Sequence, residues 1–212
     1  MHRVFIVTSL ALLSVPCKAA AQSLVPTVRI GTQEWMRDNL NVTEFRNGDG
    51  IPTATDSAAW VQAGRRRIPT WRAYGNATAN RQRYGLLYNH YAAVDPRGIC
   101  PTGFRVPSSE DWDVLEATLS EERAAKRLKT RTGWENNGNG TDDVGFGGLP
   151  GGFRTDYGVD FLEGRVGYWW TDDGRSFTTP TAVAVLLFDY SDRIFRIEYP
   201  PAIGQSIRCL RK

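Results

Sequence analysis

Residues 100–112 read Cys100-Pro101-Thr102-Gly103-Phe104-Arg105-Val106-Pro107-Ser108-Ser109-Glu110-Asp111-Trp112. Each proline fixes φ and lacks an N–H, so the segment cannot be helical throughout. Gly103 between them permits a tight turn. After Pro107 the chemistry changes. Ser108 is suited to cap a helix, its hydroxyl accepting from a first-turn N–H. Glu110 and Asp111 put negative charge at the positive end of the helix dipole, a role preferred here over a catalytic carboxylate pair. Trp112, Leu115 and Leu119 fall at i, i+3 and i+7, one face of a helix. A cysteine thus stands just ahead of an amphipathic helix that sends a tryptophan to the core.

The amino-terminal end decides the compartment. Met1 to Ala21 has the pattern of a signal peptide: His2 and Arg3, an apolar run from Val4 to Val15, then Ala19-Ala20-Ala21 as a small-residue cleavage site. The run is too short to span a bilayer. Cys17 raises lipid anchoring as the competing fate, but Pro16 and Ser14 fit that processing signal badly. The expected mature chain is one domain, residues 22–212, exported to the periplasm, the outer surface or the medium. Cys17 leaves with the leader. Cys100 and Cys209 remain, an even pair in an exported chain, and a disulfide is the natural reading. It closes a loop of more than a hundred residues, for which the chain-entropy model gives about 4–5 kcal/mol.

Composition narrows the function. Seven Trp, eight Tyr and nine Phe in 212 residues can build a sizeable core. Losing Arg3 and Lys18 with the leader takes the formal charge from +3 to +1. A nearly neutral exported chain argues against a nucleic-acid partner. The basic clusters Arg65-Arg66-Arg67 and Lys126, Arg127, Lys129, Arg131 read as solvated faces.

Along the chain, Val28-Arg29-Ile30 and Glu34-Trp35-Met36 read as strands about a turn at Gly31, and Asn47-Gly48-Asp49-Gly50 is a turn. Ser57 to Arg67 holds a short helix. Tyr84 to Val94, rich in aromatics, suits a buried strand. Ser120 is placed to cap a second helix over Glu121 to Lys129, with Ala124, Ala125 and Leu128 inward. Residues 130–148 read as loop. The last quarter is β: Val166 to Thr171, Ala182 to Asp189, Arg193 to Tyr199, and Ile207 to Leu210 carrying Cys209. Helices ahead of a terminal antiparallel meander indicate an α+β fold rather than a parallel sheet.

Several of these stretches resemble a known family. They are Ile30-Gly31-Thr32-Gln33-Glu34-Trp35-Met36, Asn39-Leu40-Asn41-Val42, Tyr84-Gly85, Leu87-Tyr88-Asn89, Cys100-Pro101-Thr102-Gly103 to Trp112, Leu149-Pro150-Gly151-Gly152-Phe153-Arg154, Gly167-Tyr168-Trp169-Trp170 and Ser206-Ile207-Arg208-Cys209. In this order, over almost the whole mature chain, they resemble the Fibrobacter succinogenes major paralogous domain. The resemblance implies a C-type-lectin-like α+β fold with long irregular loops. It also implies a cystine from a helix start to the last strand, the pair already reached by counting. The family is one of exported bacterial proteins, with no activity to carry over. Phe104-Arg105 stands where the family commonly has Trp-His, and Thr171-Asp172 where it has Ser-Ser after the Trp pair.

The chemistry-bearing residues are few. Calcium takes six to eight oxygens. Asn136, Asn137, Asn139, Asp142 and Asp143 cluster in one loop, and Asp172 and Asp173 follow Trp169-Trp170. Trp170-Thr171-Asp172 is similar to the Trp-Asn-Asp of sugar-binding C-type lectins, with Thr171 replacing the Asn and the partner motif missing. An Asx-rich turn region accounts for the same residues and is preferred; no cofactor is expected, and calcium is the one candidate. Asn136, Asn137, Asp142, Asp143, Asp172 and Asp173 are carried forward as ligand-binding candidates without a metal. Trp60, Trp71, Trp134, Trp169 and Trp170 are candidate sugar platforms, although most are expected in the core. Strand alternation is expected to turn one of Trp169 and Trp170 inward and the other outward. His90 is the one histidine outside the leader and reads as a packed strand residue rather than a base. The reading is an exported, non-catalytic surface or envelope module binding glycan or protein through residues 130–148 and 171–180. The alternative is an enzyme on a formylglycine-generating-enzyme-like scaffold.

Overall fold

The computed structural model describes residues 25–173 and 181–212. The expected leader with Cys17, and residues 174–180 of the second expected binding loop, lie outside the described residues. Strands β1 (Thr27–Ile30) and β2 (Gln33–Met36) form the expected hairpin, Ile30 facing Gln33 across the turn. Helix α1 (Ser57–Arg66) begins where the Asp56 carboxylate accepts from the Ala59 N–H. Then come β3 (Trp71–Arg72), α2 (Thr78–Tyr84), β4 (Leu87–Asn89), α3 (His90–Ala93) and β5 (Phe104–Arg105). The central helix α4 (Ser109–Leu119) is followed by a 3₁₀ turn, Glu121–Arg123, and α5 (Ala124–Leu128). The carboxyl-terminal part holds β6 (Gly151–Arg154), β7 (Asp160–Glu163), β8 (Val166–Trp170), β9 (Ala182–Phe188), β10 (Ile194–Tyr199), β11 (Gly204–Gln205) and β12 (Leu210–Arg211). The described strands form three sheets, ordered β1-β2-β12-β5, β10-β9-β8 and β3-β4-β11-β6-β7, with antiparallel pairing between neighbours. Helix and antiparallel sheet are mixed, as an α+β reading requires.

The start of α4 is built as its sequence implies. The Ser108 hydroxyl accepts from the Asp111 N–H, and the Asp111 carboxylate accepts from the Ser108 N–H at 2.7 Å, a reciprocal capping box. Trp112, Leu115 and Leu119 are buried. Cys100 is bonded to Cys209 across 109 residues, with the Cα atoms 6.0 Å apart and both side chains buried. Beyond Cys209, β12 enters between β2 and β5, Leu210 facing both Trp35 and Arg105. The two ends of the domain are therefore held in one sheet.

Trp169 and Trp170 correct the expectation of one buried and one exposed ring, since both are fully buried. Alternation does separate them. Trp169 packs into a core with Trp35, Trp112 and Phe146, and Trp170 into a second with Tyr88, Ile207 and the cystine. All five residues of β8 are buried, so neither side of that strand is left to solvent.

Four other expectations change. Tyr84 to Val94 is not one strand: Tyr84 ends α2, and Asn89 caps α3 by accepting from the Ala92 N–H, so His90 begins a helix. Ser120 has φ 71° and makes no side-chain cap; the 3₁₀ turn follows it instead. Residues 207–209 run alongside β2 without regular pairing, giving carbonyls to Leu40 and Met36. Lys129, read as part of a solvated basic face, is buried.

The core around Trp169 and Phe146 also holds a cation against it. Arg208 is fully buried, donating from Nε and Nη2 to Asn39 Oδ1 at 3.0 and 2.7 Å, with its guanidinium 4.4 Å from the Phe146 ring centre. Trp169 donates its indole N–H to the same Asn39 oxygen at 2.8 Å. Burial pushes Arg208 down to about 9, so it remains a cation at neutral pH. One amide oxygen thus ties the amino-terminal, Trp-pair and carboxyl-terminal segments together.

Candidate functional site: a polar basin beside Tyr190

A concavity of about 500 Å³ opens between residues 136–139, the end of α5 and the turn joining β9 to β10. Its loop wall follows from its composition. Asn136 and Asn137 lie at φ 51° and 58°, in the left-handed region that Asn tolerates better than most residues. A side chain on Gly138 would strike the Asp189 backbone, and one on Gly140 the carbonyls of Lys126 and Lys129. Asn139 Oδ1 accepts from the Trp134 N–H at 3.0 Å. The Asn-Asn-Gly-Asn-Gly run is a close-fitting turn pressed against α5 and the hairpin.

The opposite wall is held from beneath. Lys129 Nζ donates to the carbonyls of Phe188 and Ser191 at 3.1 and 2.9 Å. Burial pushes its ammonium below the ordinary lysine range, with Asp192 opposing. The Asp189 carboxylate, 1% exposed, accepts from Asn136 Nδ2 at 2.6 Å and Arg165 Nε at 3.3 Å. Between these anchors Tyr190 stands 71% exposed, its ring stacked on Phe188 at 5.0 Å with 29° between planes. The charges lining the basin are paired: Lys126 and Lys129 lie 4.0 and 3.9 Å from Asp192, and Arg193 3.9 Å from Glu122.

Of the residues the sequence singled out, Asn136, Asn137 and Asn139 line this basin. Asn136 is engaged by Asp189, and the Asn137 side chain is exposed. Asp142 accepts from the Gly147 N–H at 2.8 Å and shapes the following turn. Asp143 pairs with Arg127 at 3.0 Å and lines a different depression. Asp172 lies with Arg46 and Arg105 beside the cystine; partial desolvation and neighbouring Asp173 push its carboxyl up. Asp173 accepts from the Ser109 N–H at the start of α4. The two acidic clusters therefore border separate hollows. Among the described residues, no group of three or more His, Cys, Asp or Glu side chains could hold a metal ion.

The other candidates are occupied by packing. His90 is 2% exposed, its Nε2 lies 3.0 Å from the Thr171 carbonyl, and its ring meets Trp170 edge-on. Trp60, Trp134, Trp169 and Trp170 are buried; Trp71 is half-buried, its indole N–H donating to the Ile51 carbonyl. Tyr190, Asp189 and Asp192 were not singled out by the sequence, and Lys129 was assigned there to a solvated face although it is buried. The available signal was an aromatic in the turn Tyr190-Ser191-Asp192 instead of in a strand.

A family model described as the Fibrobacter succinogenes major domain matches residues 28–211. The chain belongs to that family. Searches of curated proteins and of solved structures found no match. In this Fibrobacter succinogenes major domain the departures noted above are accommodated. Arg105 forms a two-pronged pair with Asp111 at 2.5 and 2.7 Å, locking the capping box to β5. Thr171 is buried and donates its hydroxyl to the Val183 carbonyl at 3.0 Å. No helix among the described residues is long and apolar enough to cross a membrane.

Proposed function

We propose that this Fibrobacter succinogenes major domain is an exported, non-catalytic, C-type-lectin-like module that binds a glycan at the surface or envelope. The observation that carries the reading is the polar basin, built on loop and turn but held by a rigid scaffold. Export is supported by the leader pattern and the buried cystine. The lectin-like reading is supported by the amino-terminal hairpin closed by the last strand, and by the cystine from ahead of α4 to the carboxyl end. A non-catalytic role is supported by the engagement of Cys100, Cys209 and His90 in packing.

The test is a glycan array probed with residues 22–212, with calcium and with chelator. Retention of defined glycans, undiminished by chelator, is expected. Retention of none would remove the reading. Loss of all binding on chelation would replace it with a calcium site.

A further inference from the structure

We infer that the basin takes a neutral hexose, its C–H face stacked on Tyr190 and its hydroxyl groups meeting the polar rim offered by Asn137 and Asp192. The inference rests on the glycan-binding reading and names the ligand's chemistry and the side chain that grips it.

Three observations carry it. The first is Tyr190. A tyrosine 71% exposed in a turn is an apolar surface left to water, yet its ring is braced against Phe188, which meets Phe195 edge-on at 5.1 Å. A braced aromatic ring gives large contact area while losing little conformational freedom on binding. Lys129, bonded to the carbonyls of Phe188 and Ser191, fixes the backbone on both sides of it.

The second is polarity. A volume of about 500 Å³ falls within the range of small-ligand sites, but such sites are mostly apolar. This one is lined by Asn137, Asn139, Ser191 and charged side chains. An apolar ligand would leave those groups without water and without partners. A polyhydroxylated ligand replaces the water.

The third is charge. Lys126, Lys129 and Arg193 are each within 4.0 Å of a carboxylate, and Asp189 is held by Asn136 and Arg165. A phosphate, sulfate or uronate would have to break one of these pairs to gain a cation. A neutral sugar breaks none.

The experiment uses residues 22–212 and an array of neutral gluco-, manno- and galacto-oligosaccharides beside sulfated and uronate-containing ones. Hits are followed by titration calorimetry. Tyr190→Ala is expected to weaken binding of a neutral hit about tenfold or more, equivalent to ~1.4 kcal/mol. Tyr190→Phe is expected to stay within about threefold, because the ring and not the hydroxyl supplies the contact. Thermal melts of both variants are expected to match the parent, since Tyr190 is exposed. Neutral glycan binding unchanged by Tyr190→Ala overturns the inference and leaves the glycan reading standing. Binding confined to sulfated or uronate-containing glycans overturns neutrality alone. Absence of any glycan binding overturns both.

Discussion

Asp111 shows how much one carboxylate does in this protein. It closes the capping box with Ser108 and receives both prongs of Arg105. Burial pulls its carboxyl up, but the Arg105 and Ser108 hydrogen bonds outweigh that and hold it below the ordinary range. A carboxyl whose folded value lies below its unfolded value stabilises the fold above the unfolded value, and that contribution fades as pH falls through the folded one. Asp111→Ala is therefore expected to cost about 1–2 kcal/mol at neutral pH. In urea melts from pH 7 downward the gap between variant and parent is expected to narrow below about pH 4. A gap independent of pH would show that the lost carboxylate charge contributes nothing. Ser108 and Asp111 were legible because capping is local. Asn39 and Arg208 were not, because neither says in sequence that the other is its partner 169 residues away.

Among the elements, the 136–140 loop best separates sequence from structure. Asn and Gly exclude regular helix and strand there, which the composition already showed. That Gly140 lies against the Lys126 and Lys129 carbonyls, and Gly138 against Asp189, depends on how α5 and the β9–β10 hairpin meet. Gly140→Ala is expected to lower stability by about 1–3 kcal/mol through overpacking against backbone. Amide hydrogen exchange is expected to quicken at Thr130 and Thr141, whose N–H groups bond across this contact or beside it. An unaltered melt would mean that the loop stands off the helix. The strands β8 and β9 were legible from their apolar runs, whereas α3 was hidden in an aromatic-rich stretch whose length suited a strand.

For the whole molecule, the cystine is the covalent tie, joining residues 109 apart in sequence. Non-reducing peptide mapping is expected to recover Cys100 and Cys209 in one linked pair. Cys100→Ser with Cys209→Ser is expected to cost about 2–5 kcal/mol in denaturant unfolding. Free thiols at both positions in the native protein would refute the arrangement. The sequence alone determined the α+β class, the family, the helix start after Pro107 and the pairing of two cysteines. Those rest on local stereochemistry, ordered motifs and counting. Tertiary structure decided that both Trp169 and Trp170 are buried, that Lys129 lies beneath a turn, and that Tyr190 overlooks a polar basin. Each depends on which surfaces meet, and a one-dimensional pattern shows which face a residue takes without showing what covers that face.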